Sequence, residues 1–350
     1  MKNVEKESKM LIERALALHA TDIHFHPKES STALMYRIHG KLYEMATLQQ
    51  KEATRLIAHF KYRAGMDIGE ERRPQDGSLQ IETEKYPVNL RFSTIPSLYH
   101  ESLSVRLLPQ QQRITLATLS FFPPLQHFFH SLIHQPGGII LLVGPTGSGK
   151  TTTLYAFMSE MAKHSRVISV EDPIEMRNDA FIQSEVNVTA KVTYEEMLRS
   201  ALRHDPDVLM IGEIRDKATA HIAIRAALTG HLVCTTMHAI SPFGALERLY
   251  DFGFSRNDLE ETLLAIISQR LLPRICPFCY PSYCSPYCNH WNDRSRVPVF
   301  NILANEQLKA GLCKQKDKNK SYTYSSRDQL KKGMALGIFP PSVWKGAEEA

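Results

Sequence analysis

An unbroken apolar run, Ile139-Ile140-Leu141-Leu142-Val143, stands between Gly138 and a glycine-rich loop. Consecutive apolar residues with glycine on either side predict a strand buried on both faces. Runs of the same kind follow at 166–171, 208–211 and 231–236, and stretches of helical character at 151–163, 193–203 and 216–228 lie between them. Strands that alternate with helices predict a doubly wound, parallel α/β layer. Two helix starts are well marked. Thr193 with Glu196 forms a capping box, and Ser241 stands as a cap before Pro242 at the first helical position.

The pattern upstream is different. Residues 4–19 carry an apolar stripe of Leu11, Ile12, Ala15, Leu16 and Leu18, as an amphipathic helix would. Short alternating segments at 22–26, 31–38 and 85–92 flank a helix-like stretch from Lys51 to Ala64. This mixture predicts a smaller N-terminal α/β domain over 1–108, with the polar Gln110-Gln111-Gln112 inside a linker at 109–118. The alternating α/β domain then occupies 119–274. Beyond Arg274 the chain turns cysteine- and tyrosine-rich, then basic, which predicts a cysteine-rich, helical C-terminal region over 275–350.

Composition narrows the class. The chain has 350 residues, 43% hydrophobic and 23% charged, with a net charge of +5. That suits an ordinary globular protein with a sizeable core. No apolar stretch approaches the ~20 residues of a membrane span, and the first ten residues lack the apolar centre of a secretory signal. The expected location is therefore the cytosol. Four of the six cysteines cluster at Cys276, Cys279, Cys284 and Cys288. In a reducing compartment such a cluster favours a metal over disulfides.

The chemistry follows the first buried strand. Gly144, Pro145, Thr146, Gly147, Ser148, Gly149, Lys150, Thr151 and Thr152 complete a G-x-x-x-x-G-K-[ST] loop between strand and helix. Glycines let the backbone wrap a triphosphate, so that N–H groups and a helix N-terminus face the anion. Lys150 is suited to the β- and γ-phosphates of ATP, and the Thr151 hydroxyl to Mg²⁺. Carboxylates belong at the carboxyl ends of neighbouring strands. Glu213 follows Val208–Ile211, Glu171, Asp172 and Glu175 follow Val167–Val170, and His238 follows 232–236.

In order, GPTGSGKTT, EDPIE (171–175), MIGEIRD (210–216) and TGHLVCTTMH (229–238) resemble the Walker A, "Asp box", atypical Walker B and "His box" of the secretion and type IV pilus ATPase superfamily. ATDIHFHP (20–27), RPQDG (73–77) and RFSTIPSLYHESLSVRLL (91–108) resemble its N-terminal domain. The resemblance spans roughly residues 8–280. It implies a RecA-like P-loop core with a PAS-like N-terminal domain and ATP hydrolysis with Mg²⁺. Glu175 would polarise the attacking water and Glu213 would support Mg²⁺ and its waters. His238 would contact the γ-phosphate, and Arg91 and Arg106 would act as arginine fingers. The implied assembly is a homo-hexamer pushing on a polytopic inner-membrane platform protein, peripheral to the cytoplasmic face. Chain length, the compact CPFCYPSYCSPYC run and the tail most resemble the family branch that assembles the Gram-positive competence pseudopilus for DNA uptake.

The residues leave alternatives. Glu171 and Asp172 suit turn capping as well as catalysis, His231 suits a structural hydrogen bond, and Arg106 suits a salt bridge. His24 and His26, two apart on one strand, form a possible metal pair without a third ligand. The spacing C-x2-C-x4-C-x3-C predicts a Zn²⁺ site, with His290 as a substitute ligand. Larger relatives place two C-x-x-C pairs far apart, whereas here the loop is short. Other readings are a secretion or pilus motor of another system, a motor that tracks nucleic acid, or a regulatory protein with a degraded site. No aromatic–basic stacking pattern supports the second, and intact Lys150, Glu175, Glu213 and His238 oppose the third.

Overall fold

The computed structural model describes residues 4–38, 40–83, 86–109, 115–186, 192–276, 279, 296–313 and 321–345. Two compact units divide the described chain, one holding the residues up to Pro109 together with Cys276 and Cys279, the other running over 115–275 and 296–345.

The first unit is α1 (Val4–Ala17), β1 (Ala20–Pro27), β2 (Ser31–Ile38), β3 (Lys41–Gln49), α2 (Gln50–Arg63), β4 (Gln75–Glu82), β5 (Pro87–Ile95) and β6 (Ser102–Pro109). Its six strands lie in the order β3-β2-β1-β6-β5-β4, antiparallel throughout. Period-two alternation sorts the side chains. Ile23, Phe25, Leu90, Phe92, Leu103 and Val105 go inward with Ile12 of α1 and Phe60 of α2. Residues of the opposite parity, Asp22, His24, Arg91, Ser104 and Arg106, share the other face.

The second unit is α3 (Pro123–Ile133), β7 (Gly138–Val143), α4 (Lys150–Met161), β8 (Val167–Glu171), β9 (Ile182–Glu185), α5 (Tyr194–Leu202), β10 (Val208–Ile211), α6 (Lys217–Leu228), β11 (Leu232–Met237), α7 (Pro242–Asp251), α8 (Arg256–Thr262), β12 (Leu263–Pro273), β13 (Arg296–Ala304), α9 (Asn305–Leu312), α10 (Ser326–Ala335) and α11 (Ser342–Lys345). Its sheet runs β13-β12-β7-β11-β10-β8-β9, parallel except for the β12–β13 pair. All six residues of β7 are buried. Ile139, Leu141 and Val143 pack in one core with α5 and α6, while Ile140 and Leu142 pack in the other with α3 and α4. A strand covered on both faces needs apolar residues at every position, which is why its sequence does not alternate.

Both marked helix starts form. Thr193 Oγ1 accepts from the Glu196 N–H while the Glu196 carboxylate accepts from the Thr193 N–H. Ser241 Oγ accepts from the Gly244 N–H, with Pro242 opening α7. The C-terminal stretch departs from the helical expectation. It opens with a nine-residue strand, β13, which lengthens the core sheet by pairing with β12. Only then come α9 and α10.

Candidate functional site

β7 delivers the chain into the glycine loop, and Gly144, Gly147 and Gly149 take φ of +144°, +77° and +88°. Two of these positions are also closed to a side chain by packing. A Cβ at Gly144 would lie 2.6 Å from the Gln269 carbonyl oxygen, and one at Gly149 would lie 2.8 Å from Gln269 Nε2. Gln269 of β12 also accepts a buried 2.8 Å hydrogen bond from Thr153 Oγ1 of α4. It thus forms the floor of the loop and ties it to its helix. Sequence reasoning missed this residue, although a glutamine inside the apolar run of β12 was a signal, since a buried polar group needs a partner.

Gly149 is the N-cap of α4 and makes no side-chain cap. The first-turn N–H groups at Lys150, Thr151 and Thr152 therefore face the mouth of the loop uncapped. Ser148 is buried, and its Oγ has no hydrogen-bond partner among the described residues. Lys150 Nζ donates to the Gly144 and Pro145 carbonyls at 2.8 and 3.0 Å. Burial pulls its pKa down, and the Glu175 charge opposes that shift. An ammonium resting on loop carbonyls, an orphan hydroxyl and an uncapped helix end are together what a polyphosphate would satisfy. The residues present fit ATP: Gly144–Thr152 would hold its phosphates and Thr151 its Mg²⁺.

The strand tips add the polar groups. Glu213 emerges after β10, where Thr236 Oγ1 of β11 donates to the Gly212 carbonyl at 2.8 Å and fixes the turn. One Glu213 oxygen accepts from Arg215 Nε, and the other lies 3.3 Å from His238 Nε2. Arg215 also reaches Asp172 at 3.2 Å, so its guanidinium links the two acidic loops. In the sequence Arg215 is legible only as the charge inside MIGEIRD. The His238 pKa is lowered by burial, then by Lys150, Arg248 and Arg215, so the neutral imidazole is favoured beside the phosphate loop. The charge of Glu175 is felt at Lys150, Tyr155 and Glu171. In the chain Glu175 stands between Ile174, whose N–H donates to Glu185, and Met176, whose carbonyl accepts from Gln183.

The three carboxylates of EDPIE separate. Asp172 is exposed and paired with Arg215. Glu171 is buried, accepting hydrogen bonds from Tyr155 Oη and Ser169 Oγ at 2.7 Å each and from Gln183 Nε2 at 3.3 Å. Burial raises its pKa, against the pull of those donors. His231 is structural in its contacts, with Nδ1 3.0 Å from the Ala226 carbonyl.

Arg91 and Arg106 lie in the first unit, directly opposite one another on β5 and β6. Arg106 Nε donates to Asp22 Oδ1 at 3.0 Å, while Arg37 stands 3.8 Å from the same carboxylate. Arg91 Nη2 is buried with no hydrogen-bond partner among the described residues. His24 is held by Ser104 at 3.1 Å. Of the cysteine cluster, Cys276 is buried and Cys279 is half-buried, and neither is in a disulfide. Cys284, Cys288 and His290 lie outside the described residues. Among the described residues no group of three or more His, Cys, Asp or Glu side chains could hold a metal. None of their helices is long and apolar enough to cross a membrane.

The chain is 41% identical over 340 residues to "Competence protein ComGA" of Bacillus subtilis, covering 96% of each chain. It is 42% identical over 271 residues to "Type II secretion system protein E" of Klebsiella pneumoniae, covering 77% of this chain and 54% of that one. In fold it is similar to the Legionella pneumophila ATPase DotB, with a TM-score of 0.77 at 21% identity, covering 97% of this chain and 95% of that one. It is likewise similar to the pilus retraction motor PilT with bound ADP, with a TM-score of 0.63 at 24% identity over 100% and 94% of the two chains. A phosphate loop, acidic strand tips and histidine in this order are accompanied by a family match over residues 1–338, and the chain belongs to the type II/IV secretion system protein family.

Proposed function

We propose that this protein is the ATPase that powers assembly of a competence pseudopilus for DNA uptake, working as a homo-hexamer against a polytopic platform protein at the cytoplasmic face of the membrane. One observation carries the chemistry. Lys150 opens the uncapped N-terminus of α4, its charge acts on His238, which lies 3.3 Å from Glu213, and the Glu175 charge acts on Lys150 in turn. Such a constellation binds a polyphosphate and orients water for in-line attack. Lys150 draws charge from the transferring phosphoryl group, Glu175 polarises the water, Glu213 supports Mg²⁺ and its waters, and His238 contacts the γ-phosphate. Nothing in these roles requires contact with DNA. The high identity to a competence protein over nearly the whole chain supports the choice of system.

The test is the ATPase rate of the full chain in four conditions: with and without single-stranded DNA, and with and without the platform protein's cytosolic domain. Stimulation by the platform domain alone is expected. Stimulation by DNA with no response to the platform would replace this reading with a nucleic-acid-tracking motor.

The cysteine cluster is assigned to Zn²⁺, with Cys276, Cys279, Cys284 and Cys288 as ligands. Protein purified without chelator is expected to carry about one zinc per chain, and Cys276→Ser to release it while leaving nucleotide binding intact. Elemental analysis that finds no zinc in fresh protein would remove this assignment.

A further inference from the structure

Glu171 is buried and polar, and no step of the proposed hydrolysis uses it. Its surroundings form a closed network. The single Tyr155 hydroxyl proton is donated to Glu171 Oε2 at 2.7 Å, and Tyr155 Oη accepts in turn from Gln183 Nε2 at 2.8 Å. Gln183 Nε2 also donates to the Met176 carbonyl at 2.9 Å, and Gln183 Oε1 accepts from the Asn178 N–H at 2.8 Å. Asn178 Nδ2 donates to Ser159 Oγ at 2.7 Å. Further back in the loop, the Ile174 N–H donates to Glu185 at 3.3 Å.

These bonds have a direction. Tyr155 and Ser159 are four residues apart, hence on one face of α4, the helix that begins at Lys150. From that face they grip the acidic loop through Gln183 and Asn178. The loop is tied at residues 174, 176 and 178, on both sides of Glu175. Glu171 anchors the arrangement because, as a carboxylate, it accepts from Tyr155 and Ser169 at 2.7 Å each and shares a Gln183 N–H at 3.3 Å, and donates to none. Buried networks with every member satisfied are stiff, and loss of one member is felt by the rest.

We infer that Tyr155, Glu171 and Gln183 are positioning residues that fix the loop bearing Glu175 against the phosphate-loop helix, so that hydrolysis depends on them and nucleotide affinity does not. This rests on the reading of Glu175 as the residue that polarises water. Misplacing such a group by a fraction of an ångström costs rate, because orientation matters in the transition state more than in the bound ground state.

A double-mutant cycle on the full chain tests it, with phosphate release giving kcat and a fluorescent ATP analogue giving Kd. Tyr155→Phe removes only the hydroxyl and is expected to lower kcat ~10-fold with Kd within ~2-fold of wild type. Glu175→Gln alone is expected to lower kcat ~10²-fold. In that background Tyr155→Phe is expected to change the residual rate less than ~2-fold, since it acts through Glu175. Gln183→Met should repeat the pattern, and it carries the test if Tyr155→Phe does not fold. The same ~10-fold loss in both backgrounds, or a weakened Kd with kcat retained, would overturn the inference. So would wild-type turnover in Tyr155→Phe and Gln183→Met beside a slow Glu175→Gln, and that result leaves the reading of Glu175 intact. Normal turnover in Glu175→Gln itself would overturn both.

Discussion

Lys150→Ala is expected to bring ATP hydrolysis below detection. The side chain is half-buried, and its ammonium already lies 2.8 Å from one loop carbonyl and 3.0 Å from another. It need only exchange those carbonyls for phosphate oxygens, with little reorganisation. Alanine leaves the triphosphate charge facing backbone N–H groups alone. Affinity is expected to fall as well, since the cation attracts the ground state too, but the rate should fall further because charge on the transferring group grows toward the transition state. The fold should survive. Ile140, Leu142 and Phe157 belong to the buried core beside the loop, and Lys150 is not a member of that core. Phosphate release gives the rate. The rise in melting temperature with a non-hydrolysable analogue gives binding, because a ligand that binds only the native state stabilises it. Turnover within a few-fold of wild type would remove Lys150 from the mechanism.

Much of the nucleotide core was legible because its physics is local. Four apolar runs had to be buried strands, and the loop had to follow the first of them. What escaped was set by tertiary context. β12 follows α8 without an intervening turn, so Leu263–Ile267 reads as easily as a helix continuing from Thr262. β13 carries Pro298, which argues against a central strand, yet β13 is the sheet's edge, where a missing N–H is tolerated. Among the site residues, spacing could not rank Glu171, Asp172 and Glu175. Burial among Tyr155, Ser169 and Gln183 separates the first, and pairing with Arg215 the second. Gln269 presses on the loop from more than a hundred residues downstream, so no local pattern reveals it.

Arg91→Ala and Arg106→Ala are each expected to slow hydrolysis by roughly 10³ or more while ATP affinity changes little, the loss seen when an arginine finger is removed. The competing role for Arg106 is a simple salt bridge, and the first unit offers a way to separate the two. Asp22 is shared by Arg106 and Arg37, and the Arg106 side chain is 57% exposed. Asp22 itself is buried, but its carboxylate keeps a second guanidinium, Arg37, nearby when the exposed Arg106 side chain is lost, so it is not left without a cation. Arg106→Ala should therefore fold normally, and Asp22→Asn, which breaks the same pair while keeping the arginine, should leave the rate close to wild type. Equal slowing by Asp22→Asn would make the pair structural and end the finger assignment. Arg91 gives the sharper case, since its buried Nη2 lacks a partner among the described residues, and such a donor is costly unless something supplies an acceptor. The proposed ring places a second requirement on these arginines: their contribution should appear only with assembly. Mass photometry with a non-hydrolysable analogue, across protein concentration and with the platform domain present, should find hexamers under the conditions that give full activity. A chain that stays monomeric throughout, hydrolyses ATP at full rate and ignores both arginine substitutions would show that the first unit takes no part in the chemistry, and would end the proposal of a hexameric motor.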